Sequence, residues 1–140
     1  MRHLSLARLL YLDRKAFGAD RSEFIRSWIN ERTGTYLGRA DRRKSAFLFV
    51  KKYHNMFDVG PGVSFGASDD DLRNLLAESV NFAEDKPIEV SCLDENRNML
   101  KMLQEFDFAV TNDGYRMFWG LNARLGVDSA NILLGFLDKG

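Results

Sequence analysis

Ser45-Ala46-Phe47-Leu48-Phe49-Val50-Lys51-Lys52 sets five apolar residues in unbroken succession. A short run of this kind, rich in aromatic and β-branched residues, fits a strand covered on both faces. Such a strand needs layers above and below it, and the flanking sequence supplies them. Downstream, Met56 to Phe65 reads as a second strand, broken at Gly60-Pro61-Gly62 because proline cannot donate to a ladder. Upstream, Thr35-Tyr36-Leu37 reads as a short strand and the basic run Arg39–Lys44 as a turn.

Helical spacing begins further out. Leu6, Leu9, Leu10 and Phe17 predict a first helix ending near Gly18. Asp20-Arg21-Ser22-Glu23 has the form of a capping box for a second, which carries Phe24, Ile25, Trp28 and Ile29 and stops before Gly34. Ser68 reads as the N-cap of a helix built on Leu72, Leu75, Leu76 and Val80 and closing near Phe82. Pro87 precedes a strand over Ile88–Leu93. Asp94 or Asn96 then caps a helix bearing Met99, Leu100, Met102, Leu103 and Phe106. Strands over Phe108–Thr111 and Tyr115–Trp119 are joined by the turn Asn112-Asp113-Gly114, and the apolar tail Ala130–Leu137 packs back on the domain. The order α-α-β-β-β-α-β-α-β-β is an α/β or α+β sandwich around one mixed sheet.

Composition bounds the function. The chain has 140 residues, 45% hydrophobic and 29% charged, which is one globular domain with a real core. Its formal charge of zero argues against a nucleic-acid or membrane-surface module. That zero conceals a split. Residues 1–54 hold thirteen Lys and Arg against five Asp and Glu, and residues 55–140 hold seven against fifteen. The basic run Arg39–Lys44 lacks interleaved aromatics and reads as a solvated loop. No apolar run approaches the roughly 20 residues of a membrane span, and the opening Met1-Arg2-His3-Leu4 does not read as a secretory signal. Cys92 is the lone cysteine, which suits a reducing cytoplasm. With only His3 and His54 beside it, no metal site assembles from thiols and imidazoles.

Ile88-Glu89-Val90-Ser91-Cys92-Leu93-Asp94-Glu95-Asn96, followed by Met99, Met102 and Phe108, resembles the fifth strand, the helix-opening Asn and the closing Phe of the GNAT acetyltransferase superfamily. More narrowly, Leu12 to Arg21, Val59-Gly60-Pro61 and Tyr115-Arg116-Met117-Phe118-Trp119-Gly120 resemble the C-terminal acetyltransferase-like domain of two-domain GNAT proteins. The resemblance implies a GNAT-like α/β (α+β) fold, a central mixed and mostly antiparallel sheet flanked by helices. It further implies that residues 1–140 are a single domain from the C-terminal part of a longer protein; Met1–Ser5 is barely long enough for the family's first strand. The implied activity is N-acetyl transfer from acetyl-CoA to a small-molecule amine. The implied partners are an N-terminal GNAT domain of the same protein or a homodimer partner.

The resemblance assigns roles residue by residue, and departures accompany them. Val59, Gly60, Gly66 and Asn96 fall where the family contacts coenzyme. The pyrophosphate loop, however, places Ser64 at the expected Arg, and Ala67 and Asp69 at the two glycines. Asp69-Asp70-Asp71 would repel a phosphate at a helix start whose positive end they already satisfy. The family's thiolate acid, a Tyr seven residues after the Asn, is Leu103 here, leaving Tyr115 or Tyr53 as substitutes; the Gly before Phe108 is Asp107. For the general base, Asp58 on the fourth strand is the leading candidate, with Glu89 and His54 behind it and a solvated strand Asp as the plain alternative. Cys92 reads as a structural thiol, since no His stands in pattern with it. Arg14, Arg21 and Arg116 are the candidates for an acceptor or anionic ligand, against the simpler reading of Asp13-Arg14 and Asp20-Arg21 as an ion-pair cluster fixing a loop. The degenerate loop points to an acceptor-pocket or auxiliary role. A non-catalytic small-ligand or protein-interaction module on the same scaffold is the alternative.

Overall fold

A computed structural model describes residues 2–113 and 126–134. The chain enters through a two-residue strand, β1 (Arg2–His3), and two helices, α1 (Leu6–Phe17) and α2 (Ser22–Asn30). Three antiparallel strands follow: β2 (Gly34–Ala40), β3 (Ser45–Tyr53) and β4 (Met56–Phe65). Then come α3 (Asp69–Ala83), β5 (Ile88–Val90), α4 (Arg97–Glu105), a 3-10 turn (Asp128–Ala130) and β6 (Asn131–Leu133). The strands form one mixed, mostly antiparallel sheet in the order β1-β2-β3-β4-β5, with β6 also paired to β4.

Strand β3 is buried on both sides, as its apolar run requires. Ala46, Leu48 and Val50 face the core under α3 and α4, with Leu72, Leu75, Met99 and Met102. Phe47 and Phe49 face the core under α1 and α2, with Leu9, Leu12, Ala16 and Ile25. Two apolar layers on one strand explain why its sequence does not alternate.

Gly60-Pro61-Gly62 does not break β4. Leu48 pairs with Gly62 and Val50 with Val59, so Phe49 alone stands opposite Gly60 and Pro61. This is a bulge, the one interior location where a residue without an N–H leaves no ladder bond unmade. The bulge also resets which face each side chain takes. Val59 points into the α3–α4 core and Val63 into the α1–α2 core, although both have odd numbers.

Other expectations shift at their ends. The short strand expected over Thr35–Leu37 runs Gly34–Ala40, so the basic turn shrinks to residues 41–44, where Asp41 Oδ1 accepts from the Arg43 and Lys44 amides. The expected capping box at Asp20 does not form. Helix α2 starts at Ser22, one residue too late for it; Asp20 accepts from Ser22 N at 2.9 Å and Arg21 makes no side-chain cap. The strand expected over Ile88–Leu93 stops at Val90, because the bulge diverts β4 from its parallel partner. No strand forms over Phe108–Thr111. The Phe108 amide bonds to Leu103 O, closing α4, and Val110 is exposed. The turn from Gly114 and the strand Tyr115–Trp119 lie outside the described residues, as do Arg116 and the end of the tail. The described part of that tail packs back as expected, but as a sheet strand, β6.

Candidate functional site

Two places carry chemistry. The first is a cleft of about 400 Å³ where β4 ends, lined by Ser64, Gly66, Ala67, Asp69, Asn96 and Met99 among others. Gly66 adopts φ +71°, a left-handed conformation that glycine takes at little cost. Ser68 then caps α3: its Oγ accepts from Asp71 N at 3.2 Å, while Asp71 Oδ2 accepts from Ser68 N at 2.9 Å. These bonds hold the Asp71 carboxyl below the usual carboxylate range, chiefly through the Ser68 backbone N–H and then its hydroxyl. Asp69 accepts from Asn98 Nδ2 at 2.7 Å, and Asp70 lies 3.5 Å from Arg73. The helix start is thus closed by its own side chains. Among the described residues lining the cleft, Asp69 is the only charged one.

Asn96 caps α4, with Oδ1 accepting from Met99 N at 3.3 Å and Nδ2 donating to Asn131 O at 3.5 Å. Val59 is fully buried, and Gly60 sits in the bulge. Gly66 and Asn96 thus come together in the cleft lining, whereas Val59 and Gly60 lie earlier on β4 and are not among its lining residues. Leu103, at the position of the family's Tyr, is core.

The second place is the sheet face under α2. Asp58 is directly opposite Lys51 on β3 and Glu89 on β5, giving a row of three charged residues across the strands. Lys51 Nζ lies 3.9 Å from Asp58 Oδ2 and 4.4 Å from the Trp28 ring centre. Asp58 is 1% exposed and Lys51 6%. Asp58 therefore lies buried beside an ammonium group that itself sits over an aromatic ring. Sequence reasoning missed Lys51, although counting back from the Tyr53–Met56 pair at the hairpin end would have found it. His54 belongs to that hairpin turn, its ring 4.5 Å from Tyr53.

The arginine candidates part company. Arg21 makes two 2.8 Å bonds to Asp13, and its guanidinium stacks 3.9 Å from the Phe17 ring centre. Arg14 is largely exposed, 3.9 Å from Asp20. Tyr115 and Arg116 lie outside the described residues. Cys92 is half-buried, and burial, followed by the charge of Asp94, pushes its thiol up to about 11. Among the described residues no cluster of His, Cys, Asp or Glu could hold a metal ion, and no helix is long and apolar enough to cross a membrane.

The family model described as an acetyltransferase (GNAT) domain matches residues 9–128. The chain belongs to the GNAT acetyltransferase family. No curated protein and no solved structure matches it. GNAT proteins generally use acetyl-CoA, which raises the question of fit. A pyrophosphate needs free N–H groups and positive charge. The GNAT cleft here offers a capped helix start and one charged lining residue, the carboxylate Asp69, so its described residues do not fit that group.

Proposed function

We propose that this GNAT domain serves N-acetyl transfer from acetyl-CoA to a small-molecule amine from the acceptor side, without docking the coenzyme itself. The coenzyme is held by an N-terminal GNAT domain of the same protein, in a reducing cytoplasmic setting. The observation that carries this reading is the capping box of α3, where Asp71 fills the place of an anion and Asp69 and Asp70 flank it. Arg14, largely exposed at the α1–α2 corner beside Asp20, is the cation assigned to an anionic group, with Arg116 as its companion on the sequence pattern. Asp58 and Tyr115 are the groups assigned to proton movement, Asp58 with its charge balanced by Lys51.

Calorimetric titration of the chain with acetyl-CoA tests the reading. No saturable heat is expected from the chain alone, and transfer activity is expected once an N-terminal GNAT domain is supplied. Saturable micromolar binding by the chain alone would sink it. A second reading, a non-catalytic interaction module, draws on Tyr11 and Phe24, which are exposed on the basic α1–α2 surface. It gains if neither condition gives binding or transfer.

A further inference from the structure

Strands β4 and β5 run parallel through Phe57–Ile88, Asp58–Glu89 and Val59–Val90, and then separate. Open α/β sheets take ligands in a crevice beyond the carboxyl ends of their strands, and where two neighbouring strands part, backbone groups on the inner edges lose their sheet partners. An extended ligand bearing amides can complete such an edge as an added strand.

Here the chain completes it. Strand β6 pairs antiparallel with β4 through Gly62–Leu133 and Val63–Asn131. On its other side Leu134 bridges Ser91 just beyond β5, its amide donating to Ser91 O at 2.7 Å. Residues 131–134 therefore span the crevice from wall to wall. Ile132 and Leu133 are buried members of the α3–α4 core, and Ala130 belongs to the α1–α2 core.

The strand is also tied at its start. Asn131 is buried, and its Nδ2 donates to Ala16 O at 2.8 Å and to Val127 O at 3.1 Å. Val127 N donates to the same Ala16 carbonyl at 2.8 Å. A Cβ at Gly126 would lie 2.1 Å from that oxygen, so the approach tolerates only glycine. Across the ladder, a Cβ at Gly62 would sit 2.7 Å from Leu48 and 3.1 Å from Leu133, so β4 gives up a side chain where β6 lies.

We infer that β6 is a permanent internal occupant of the β4–β5 crevice, standing where an extended, amide-bearing ligand such as an acyl-CoA tail would pair. The inference deepens the proposed function and rests on it: the capped helix start turns away the phosphates, and β6 leaves the tail no edge to join. It makes the domain non-binding by construction rather than by loss of one loop.

Native-state amide exchange of the whole chain tests it, alone and with either acetyl-CoA or pantetheine, which lacks the pyrophosphate. Amides at 62–63 and 131–134 should exchange as slowly as those of β3, opening only with global unfolding, and neither compound should change them. Asn131→Ala should lower the thermal midpoint of a single transition. Exchange at 131–134 about a hundredfold or more faster than at β3 would overturn the inference. So would pantetheine-induced loss of protection there, which would make β6 a displaceable strand. Acetyl-CoA binding with 131–134 still protected would keep β6 in place and overturn the proposed function instead, so the two failures are distinguishable.

Discussion

Replacing Asp13 by Ala removes the carboxylate that faces Arg21 and leaves the guanidinium in its packed position over Phe17. The pair is bidentate, with both bonds at 2.8 Å, and the side chains are 12% exposed for Arg21 and 2% for Asp13. Deleting one partner of a buried pair costs about 3–5 kcal/mol, mostly from the charge left without compensation. Arg21 retains a small opening to water, so the lower end applies, about 3 kcal/mol. For a domain of this size that corresponds to a fall of roughly 10 °C in the thermal midpoint. Removing both charges in Asp13→Leu/Arg21→Met should recover most of the loss, since a packed apolar pair is often neutral relative to a buried ion pair. Urea unfolding followed by tryptophan fluorescence of wild type, Asp13→Leu, Arg21→Met and the double variant gives the four corners of the double-mutant cycle. Coupling below about 0.5 kcal/mol would refute the reasoning. Arg21 would then not be holding the α1–α2 corner, and its role as a ligand contact would become the stronger reading.

Four further outcomes follow from local geometry. Ser68→Ala should cost about 1 kcal/mol by opening the α3 cap, read as a lower urea midpoint. Because Asp71 is held below its unfolded value, its stabilisation is full above about pH 4 and is lost as pH falls below that. Wild type should therefore lose stability more steeply than Asp71→Asn between about pH 4 and pH 2, and parallel curves would contradict this. Cys92, with its thiol near 11, should react with iodoacetamide at pH 8 about a hundredfold more slowly than free cysteine, in line with its smaller thiolate fraction; equal rates would place it in water. Gly34→Ala would put a Cβ 2.3 Å from Phe49 Cε1 and 3.3 Å from Trp28 Cβ, so overpacking of about 1–3 kcal/mol is expected in thermal unfolding.

The helices were legible because their signals are local. Leu6 to Phe17 and Asp69 to Ala83 each carry a cap, an apolar stripe and a stop within a dozen or so residues. Strand β3 was legible because burial on two faces leaves one continuous apolar run. Illegible features depended on pairing. Pro61 reads as a breaker until Phe49 is seen to face two residues, and that count belongs to the partner strand. Strand β6 reads as a generic apolar tail, because its place beside Gly62 follows from the divergence of β4 and β5, which the bulge sets. In the candidate site, the carboxylates at α3 could be read from sequence. The partner of Asp58 required the hairpin register, and the tie from Asn96 to Asn131 spans 35 residues.

The charge split finds a use in these contacts. Three of the ion pairs among the described residues, Arg39–Glu78, Lys44–Asp71 and Lys51–Asp58, each join the basic first part of the chain to the acidic second part. Attraction across the fold thus consumes basic residues on the strands and the 41–44 turn, while α1 and α2 keep theirs near one another. Asp13 and Asp20 engage Arg21 and Arg14 within that corner, and Arg8 lies over the exposed Tyr11 ring. None of the ion pairs described for α1 and α2 reaches the acidic half. Because exposed charges act only within about a Debye length of roughly 8–10 Å, the outward field of this corner is positive while that of α3 is negative. An anionic group therefore meets attraction at α1–α2 and repulsion at the start of α3.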